Sequence, residues 1–99
     1  MVSGGLLNIA SAEFASVSGG QFNAATGIEA SVTGGDSNLA SGMNASVTGG
    51  FVNTASGQWA SVSGGLTNTA SGVGSVVIGN SDITANVGLS IRPQPPFNP

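Results

Sequence analysis

The sequence predicts an all-β protein, a parallel β-solenoid of about six coils with 14 or 15 residues each. The first observation is a repeat, because nearly the same fifteen residues, as at 45–59, recur along most of the chain. The second is a Gly-Gly pair in every unit, which would break any helix. The third is the alternation of apolar and hydroxyl residues around each recurring Val, which is typical of a short strand.

Each unit is predicted to form two short strands and two turns. In the unit at 45–59, residues 45–49 form the first strand and residues 52–57 form the second. The pair Gly49-Gly50 and the later Gly57 mark the turns, where a positive φ or close backbone packing favours glycine. Coils of this kind stack at about 4.8 Å, so equal positions of successive units lie above one another.

The recurring apolar positions are expected to build the core. In the first strand, Val and the Gly two residues later face inward, whereas the Ser and Thr neighbours face outward. Such a core is thin, since burying one Val contributes about 1.5–3 kcal/mol and ordering each backbone residue costs about 1–2 kcal/mol. The predicted core ladder consists of Val2, Val17, Val32, Val47, Val62, Ala25, Ala40, Ala55 and Ala70.

One asparagine recurs in every unit and forms a predicted Asn ladder. Stacked Asn side chains can hydrogen-bond along a ladder and satisfy turn amides, which is the structural interpretation. The functional alternative is a row of amides offered to a sugar. The members are Asn8, Asn23, Asn38, Asn53 and Asn68.

The positions that differ between units carry large apolar side chains, and these predict a chain–chain interface. Exposed apolar residues in this number are typical of surfaces that pack against other protein. The alternative is that some of them fill the ends of each coil. The predicted interface residues are Phe14, Phe22, Leu39, Met43, Phe51, Val52, Trp59 and Leu66.

The pattern changes near the end of the repeats. Val76 follows Val62 by fourteen residues, so Ile78 is expected at the position that Gly occupies in earlier units, in a wider or capped final coil. Residues 1–89 are therefore predicted as the solenoid domain. Residues 90–99, which are rich in proline, are predicted as an extended tail that ends the ladder.

The composition disfavours several classes of function. One basic residue, Arg92, stands against four acidic ones for a net charge of −3, so binding to nucleic acid has no electrostatic basis. No apolar run is long enough for membrane insertion. The chain has no His, Cys, Tyr or Lys, so we expect no enzyme activity, no metal site and no cofactor.

Two segments resemble a known family of repeats. Residues 75–79, Ser-Val-Val-Ile-Gly, and residues 46–50 with Asn53, Ala55 and Gly57 resemble the head repeats of YadA-type trimeric autotransporter adhesins. The chain departs from that pattern in its fifteen-residue units, in glycine where Ile usually stands, and in having no recognisable neck or membrane anchor.

The resemblance, which covers about residues 2–80, implies a left-handed parallel β-roll with three chains side by side. It also implies an extracellular or cell-surface location on a bacterium, and attachment to host matrix or to a cell-surface ligand. Related heads on phage fibres imply a virion fibre as the other location.

Three functions are expected in order of support. The first is a structural and adhesive surface module, a trimeric head or fibre segment that mediates attachment. The second is a self-assembling extracellular filament, in which copies polymerise through the solenoid ends and the Pro-rich tail. The third is ice binding, predicted from outward hydroxyl rows in which only two members are Thr: Ser16, Ser18, Ser31, Thr33, Ser46, Thr48, Ser61 and Ser63.

Overall fold

The chain winds into stacked coils that contribute one short strand to each of two parallel sheets. The computed structural model of the protein describes residues 1–78, 84–85 and 91–92. All regular elements in these ranges are strands of two residues, and none is a helix. The predicted fold class, a parallel β-solenoid, is confirmed.

The two sheets contain alternate strands of the chain, as a solenoid requires. We call them the Val sheet and the Ala sheet after their buried residues. The Val sheet contains β2 (Ser16–Val17), β4 (Ser31–Val32), β6 (Ser46–Val47), β8 (Ser61–Val62), β10 (Val76–Val77) and β12 (Ile91–Arg92). The Ala sheet contains β1 (Ile9–Ala10), β3 (Ala24–Ala25), β5 (Leu39–Ala40), β7 (Thr54–Ala55), β9 (Thr69–Ala70) and β11 (Thr84–Ala85).

Every pair of neighbouring strands has a register of fifteen residues. Val17 lies beside Val32, Val47 beside Val62, and Ala40 beside Ala55. A third, single-residue ladder with the same spacing links Leu6, Gln21, Asp36, Phe51 and Leu66. Equivalent positions of successive coils therefore stack on one another, and the stack makes five turns between Val2 and Val77.

The predicted step of fourteen residues at the end of the repeats is wrong. Val77, rather than Val76, pairs with Val62 and is fully buried, while Val76 pairs with Ser61. Ile78 consequently takes an outward hydroxyl position and is exposed. Ser75 takes the place of a buried Ala, and its hydroxyl donates to the Gly72 carbonyl at 2.8 Å. The buried positions of this strand are therefore filled by a Val and a small residue, as in the earlier coils.

The ladder continues beyond these coils at two strands. β11 pairs with β9, and β12 pairs with β10, again with a register of fifteen. β12 lies within the segment 90–99 that the sequence predicts as a tail. The rest of that segment, and the predicted boundary between residues 89 and 90, lie outside the described residues.

The core between the sheets contains only small side chains. Val17, Val32, Val47, Val62 and the predicted Ala residues of β3, β5, β7 and β9 are fully buried. Val2 is 42% exposed, because a neighbouring coil covers it on one side only. Sequence reasoning missed a second Ala column at Ala15, Ala30, Ala45 and Ala60, which is also buried. Counting the alternation two residues back from each Val would have found it.

The two members of each Gly pair have different roles, as Gly49 and Gly50 illustrate. Gly49 is half-buried and has open space where a Cβ would lie, so it does not pack inward as predicted. Gly50 has a φ of 95°, and a Cβ on it would overlap the carbonyl oxygen of Gly65 in the next coil. Only the second glycine is therefore required by the close stacking of backbones.

Candidate functional site

The Asn column lies inside the coil, between the turn that contains each Gly pair and the Ala sheet. The Asn53 amide nitrogen donates to the carbonyls of Gly49 and Gly65 at 2.9 and 3.0 Å. Its amide oxygen accepts from the backbone N–H of Asn68 at 2.8 Å. Asn23 and Asn38 make the equivalent bonds. Because Asn23, Asn38, Asn53 and Asn68 are buried, this row is not presented to a sugar.

Most of the large exposed apolar residues instead follow the two edges of the flattened coil. Each coil crosses from the Val sheet to the Ala sheet at one edge and returns at the opposite edge. We call the first the Leu/Phe edge, which contains residues 6–7, 21–22, 36–37, 51–52 and 66–67. We call the second the Trp edge, which contains residues 13–14, 28–29, 43–44, 58–59 and 73–74.

The predicted interface residues do not share one surface. Leu39 differs from the rest, because it is half-buried on the outer face of the Ala sheet. The other members are exposed and fall on opposite edges. The Leu/Phe edge contains Phe22, Phe51, Val52 and Leu66, and the Trp edge contains Phe14, Met43 and Trp59.

Both edges hold non-glycine residues in the left-handed backbone region. Nine such residues occur in the described ranges, with φ between 55° and 61°. This region costs an L-residue roughly 1–2 kcal/mol, and a β-branched residue such as Val52 is an outlier there. Five of the nine are large apolar residues whose side chains are exposed: Leu7, Phe14, Phe22, Val52 and Trp59.

The Leu/Phe edge carries little charge. Its single carboxylate, on Asp36, accepts a hydrogen bond from the Ser37 hydroxyl at 2.9 Å and one from the Gln21 amide at 3.1 Å. These bonds reduce the cost of covering the carboxylate. The apolar side chains above and below it are Leu6, Leu7, Phe22, Phe51, Val52 and Leu66.

The Trp edge combines apolar and polar groups in one column. With the Asn44 amide in the orientation that satisfies both of its atoms, its nitrogen donates to Glu29 Oε1 at 2.6 Å. Its oxygen accepts from Trp59 Nε1 at 3.1 Å. This network was not predicted from the sequence. The fifteen-residue spacing of Glu29, Asn44 and Trp59 is the signal that could have found it.

The hydroxyl rows predicted as a possible ice surface lie on the outer face of the Val sheet. Each Ser at the start of a strand is half-buried, and each Ser or Thr after the buried Val is exposed. The exposed row reads Ser18, Thr33, Thr48 and Ser63, begins one coil earlier at Ser3 and ends at Ile78. The regular part of this face therefore spans five coils.

The described residues offer no enclosed site. They form no pocket, and they contain no cluster of His, Cys, Asp or Glu that could hold a metal ion. In the same ranges, no helix is long and apolar enough to cross a membrane. No protein-family model, curated protein or solved structure matches this chain. The candidate functional surfaces are thus the two edges.

Proposed function

We propose that this chain is a structural and adhesive module in which copies pack side by side through the Leu/Phe edge. The form that follows from the sequence resemblance is a trimer in a head or fibre at a bacterial or virion surface. Attachment to matrix or to a cell-surface ligand would be weak for each copy and strengthened by repetition in the assembly.

The observation that carries this proposal is the combination of strain and exposure at the Leu/Phe edge. Val52 has a φ of 56° and a side chain that is 38% exposed. The monomer gains nothing evident from such a residue, because glycine would relieve the backbone and Ser or Thr would suit water. Leu7 and Phe22 in the same column repeat the combination. Strained residues cluster where the side chain acts on something outside the chain.

The size of the edge favours more than two copies. Six apolar side chains, each about half exposed, offer roughly 500 Å² per chain, against about 800 Å² per partner in a standard interface. When three chains place their Leu/Phe edges at a common axis, each edge contacts two partner chains. The surfaces on both sides of the edge are then covered as well. A trimer therefore buries more of this surface than a pair of chains does.

Native mass by light scattering, together with negative-stain microscopy, tests the proposal. A discrete species of three chains supports it. Long fibres of uniform width would support the filament alternative instead, and a monomer at all concentrations would contradict both. Thermal hysteresis in the solution of a monomer would support the third function, ice binding.

A pair of matched variants locates the interface. Phe51→Ser removes a ring from the Leu/Phe edge at a position without backbone strain, so we expect the mass to fall toward that of one chain. Val73→Ser removes an exposed side chain from the opposite edge and should leave the mass unchanged. Equal effects of the two variants would contradict the assignment of the Leu/Phe edge.

A further inference from the structure

We propose that the Trp edge is a binding strip for an extended, neutral oligosaccharide. The strip consists of Phe14, Glu29, Asn44 and Trp59, which occupy equal positions in four successive coils. This inference rests on the proposed adhesive function and names the class of ligand. It concerns the edge opposite to the one proposed for assembly.

The indole of Trp59 is exposed and held in a fixed orientation. Its side chain is 58% exposed, while its N–H donates to Asn44 and so does not need a partner from water or ligand. Asn44 is in turn held by Glu29. The face of the ring is thus available for stacking, and the fixed orientation lowers the entropy lost on binding.

The order of groups along the strip matches the chemistry of a sugar chain. Pyranose rings have apolar C–H faces that stack on aromatic rings, and hydroxyls at their rims that bond to amides and carboxylates. At about 4.8 Å per coil, Phe14 and Trp59 are about 14 Å apart, with Glu29 and Asn44 between them. An extended oligosaccharide is long enough to contact both rings and the polar groups between them.

The charges of the strip favour a neutral ligand. The Trp edge carries Glu13 and Glu29 and no basic residue, so phosphate and anionic sugars are repelled. A single cation is a poor fit, because it must lie within about 6 Å of each ring that binds it. Two rings about 14 Å apart cannot enclose one cation.

The backbone strain along the strip is consistent with side chains that bind a ligand outside the chain. Phe14, Glu29, Asn44 and Trp59 all have φ near 60°. Gly74, the next residue in the column, has a φ of 70°, which shows that the corner itself requires no side chain. The side chains of Phe14, Glu29 and Trp59 are therefore held at an energetic cost, whereas asparagine adopts this conformation readily.

Trp59 is the single tryptophan of the chain and the chain contains no tyrosine, so its fluorescence reports on the strip directly. We propose to titrate the full chain with cellohexaose and to measure emission and acrylamide quenching. We expect a saturable blue shift and reduced quenching. Heparin and polylysine, an anionic and a cationic polymer, serve as comparison ligands and should give no change.

Variants separate the contribution of each group, with calorimetry used wherever the reporter is removed. Trp59→Ala should abolish binding. Asn44→Ala should weaken it roughly fivefold, the value of a typical hydrogen bond. Glu29→Gln keeps an acceptor for Asn44 and should bind as the parent does. A response of the parent chain to polylysine would show that the strip takes a cationic ligand and would overturn the proposal.

Two further outcomes would also overturn it. One is an unchanged signal with cellohexaose, mannohexaose and chitohexaose. The other is acrylamide quenching of Trp59 that decreases as the protein concentration is raised in the absence of sugar. Such a decrease would show that another copy covers the strip. Phe51→Ser distinguishes this test from that of the assembly, because it should lower the native mass and leave the intrinsic response to a hexasaccharide unchanged.

Discussion

The interior columns and the edges of this solenoid obey opposite rules. Inside, each column repeats nearly the same small residue, every buried side-chain nitrogen and oxygen of the described residues has a hydrogen-bond partner, and the apolar core members between Ala15 and Val77 are buried. At the edges, residues change from coil to coil, large apolar side chains are exposed and the backbone is strained. The interior residues therefore specify the coil, whereas the edges are the surfaces through which we propose that the coil contacts other molecules.

The stacking geometry explains why the interior permits so little variation. Each interior residue has copies of itself fifteen residues before and after it, so a change in one coil alters the fit in its two neighbours. An edge side chain points away from the stack, so it contacts at most the side chains directly above and below it in the same column. Changes in the interior should therefore affect folding, and changes at the edges should affect association.

The largest effect is expected for Val47→Asp. Its side chain is fully buried between Val32 and Val62, and an unpaired carboxylate there costs more than a chain of this size can tolerate. Circular dichroism should show loss of the β signal. Thr48→Asp, at the adjacent exposed position, should retain it. A folded Val47→Asp would show that the interior is not the determinant of the coil.

The next effect is expected for Asn53→Ala. It leaves the Gly49 carbonyl and the Asn68 N–H without the bonds that Asn53 supplies, and removes one of two bonds to Gly65. We expect a loss of about 3 kcal/mol, measured by denaturant unfolding. Ser56→Ala, at an exposed polar residue directly after the buried Ala55, should change stability by less than about 0.5 kcal/mol.

A third prediction separates two adjacent glycines. Gly50→Ala introduces a Cβ against the Gly65 carbonyl at a positive φ, so we expect destabilisation by about 2–4 kcal/mol. Gly49→Ala places its Cβ in open space and should be neutral or stabilising by up to about 1 kcal/mol. Thermal unfolding of both variants checks this. Equal losses would contradict the distinction between the two positions.

The smallest effect on folding, with the opposite sign, is expected at the edge. Val52→Gly relieves a left-handed β-branched residue, so the free energy of unfolding of the monomer should rise by about 0.5–1 kcal/mol. The same change should weaken association, measured by light scattering against concentration. Thr67→Gly, in the same column and at the same φ of 56°, should give the gain in stability with little loss of association. Parent-like association of Val52→Gly would show that the edge is not an interface.

Much of the fold could be predicted from the sequence, because residues that are one repeat apart in a solenoid lie directly above one another. A column such as Val17, Val32 and Val47 is visible as a fifteen-residue spacing, and its alternation with Ser states which side is buried. The prediction failed at Val76, where matching Ser75-Val76 to the earlier Ser-Val pairs implied a shift. The structure keeps the register of fifteen, because a shift would break the hydrogen-bond ladder on both sheets. Ser75 can occupy a buried Ala position, because its hydroxyl donates a local hydrogen bond to the Gly72 carbonyl.

The candidate sites were less predictable. Sequence reasoning grouped Phe22 and Trp59 in one interface, because both are apolar and variable, but the winding of the chain places them on opposite edges. It also offered the Asn column to a ligand as an alternative, although those amides are fully used by backbone groups inside the coil. The hydrogen bonds from Trp59 to Asn44 and from Asn44 to Glu29 depend on the direction of each side chain at the corner. The spacing of residues in the sequence does not specify that direction.

The periodic placement of small residues and glycines was sufficient to predict the fold class, the length of the coil and most of the core. Only the folded chain shows which variable residues share an edge, which backbone positions are strained, and which polar groups meet. The periodic pattern specifies what each coil shares with the next, whereas the edges depend on where the backbone turns and on the direction of each side chain at that turn.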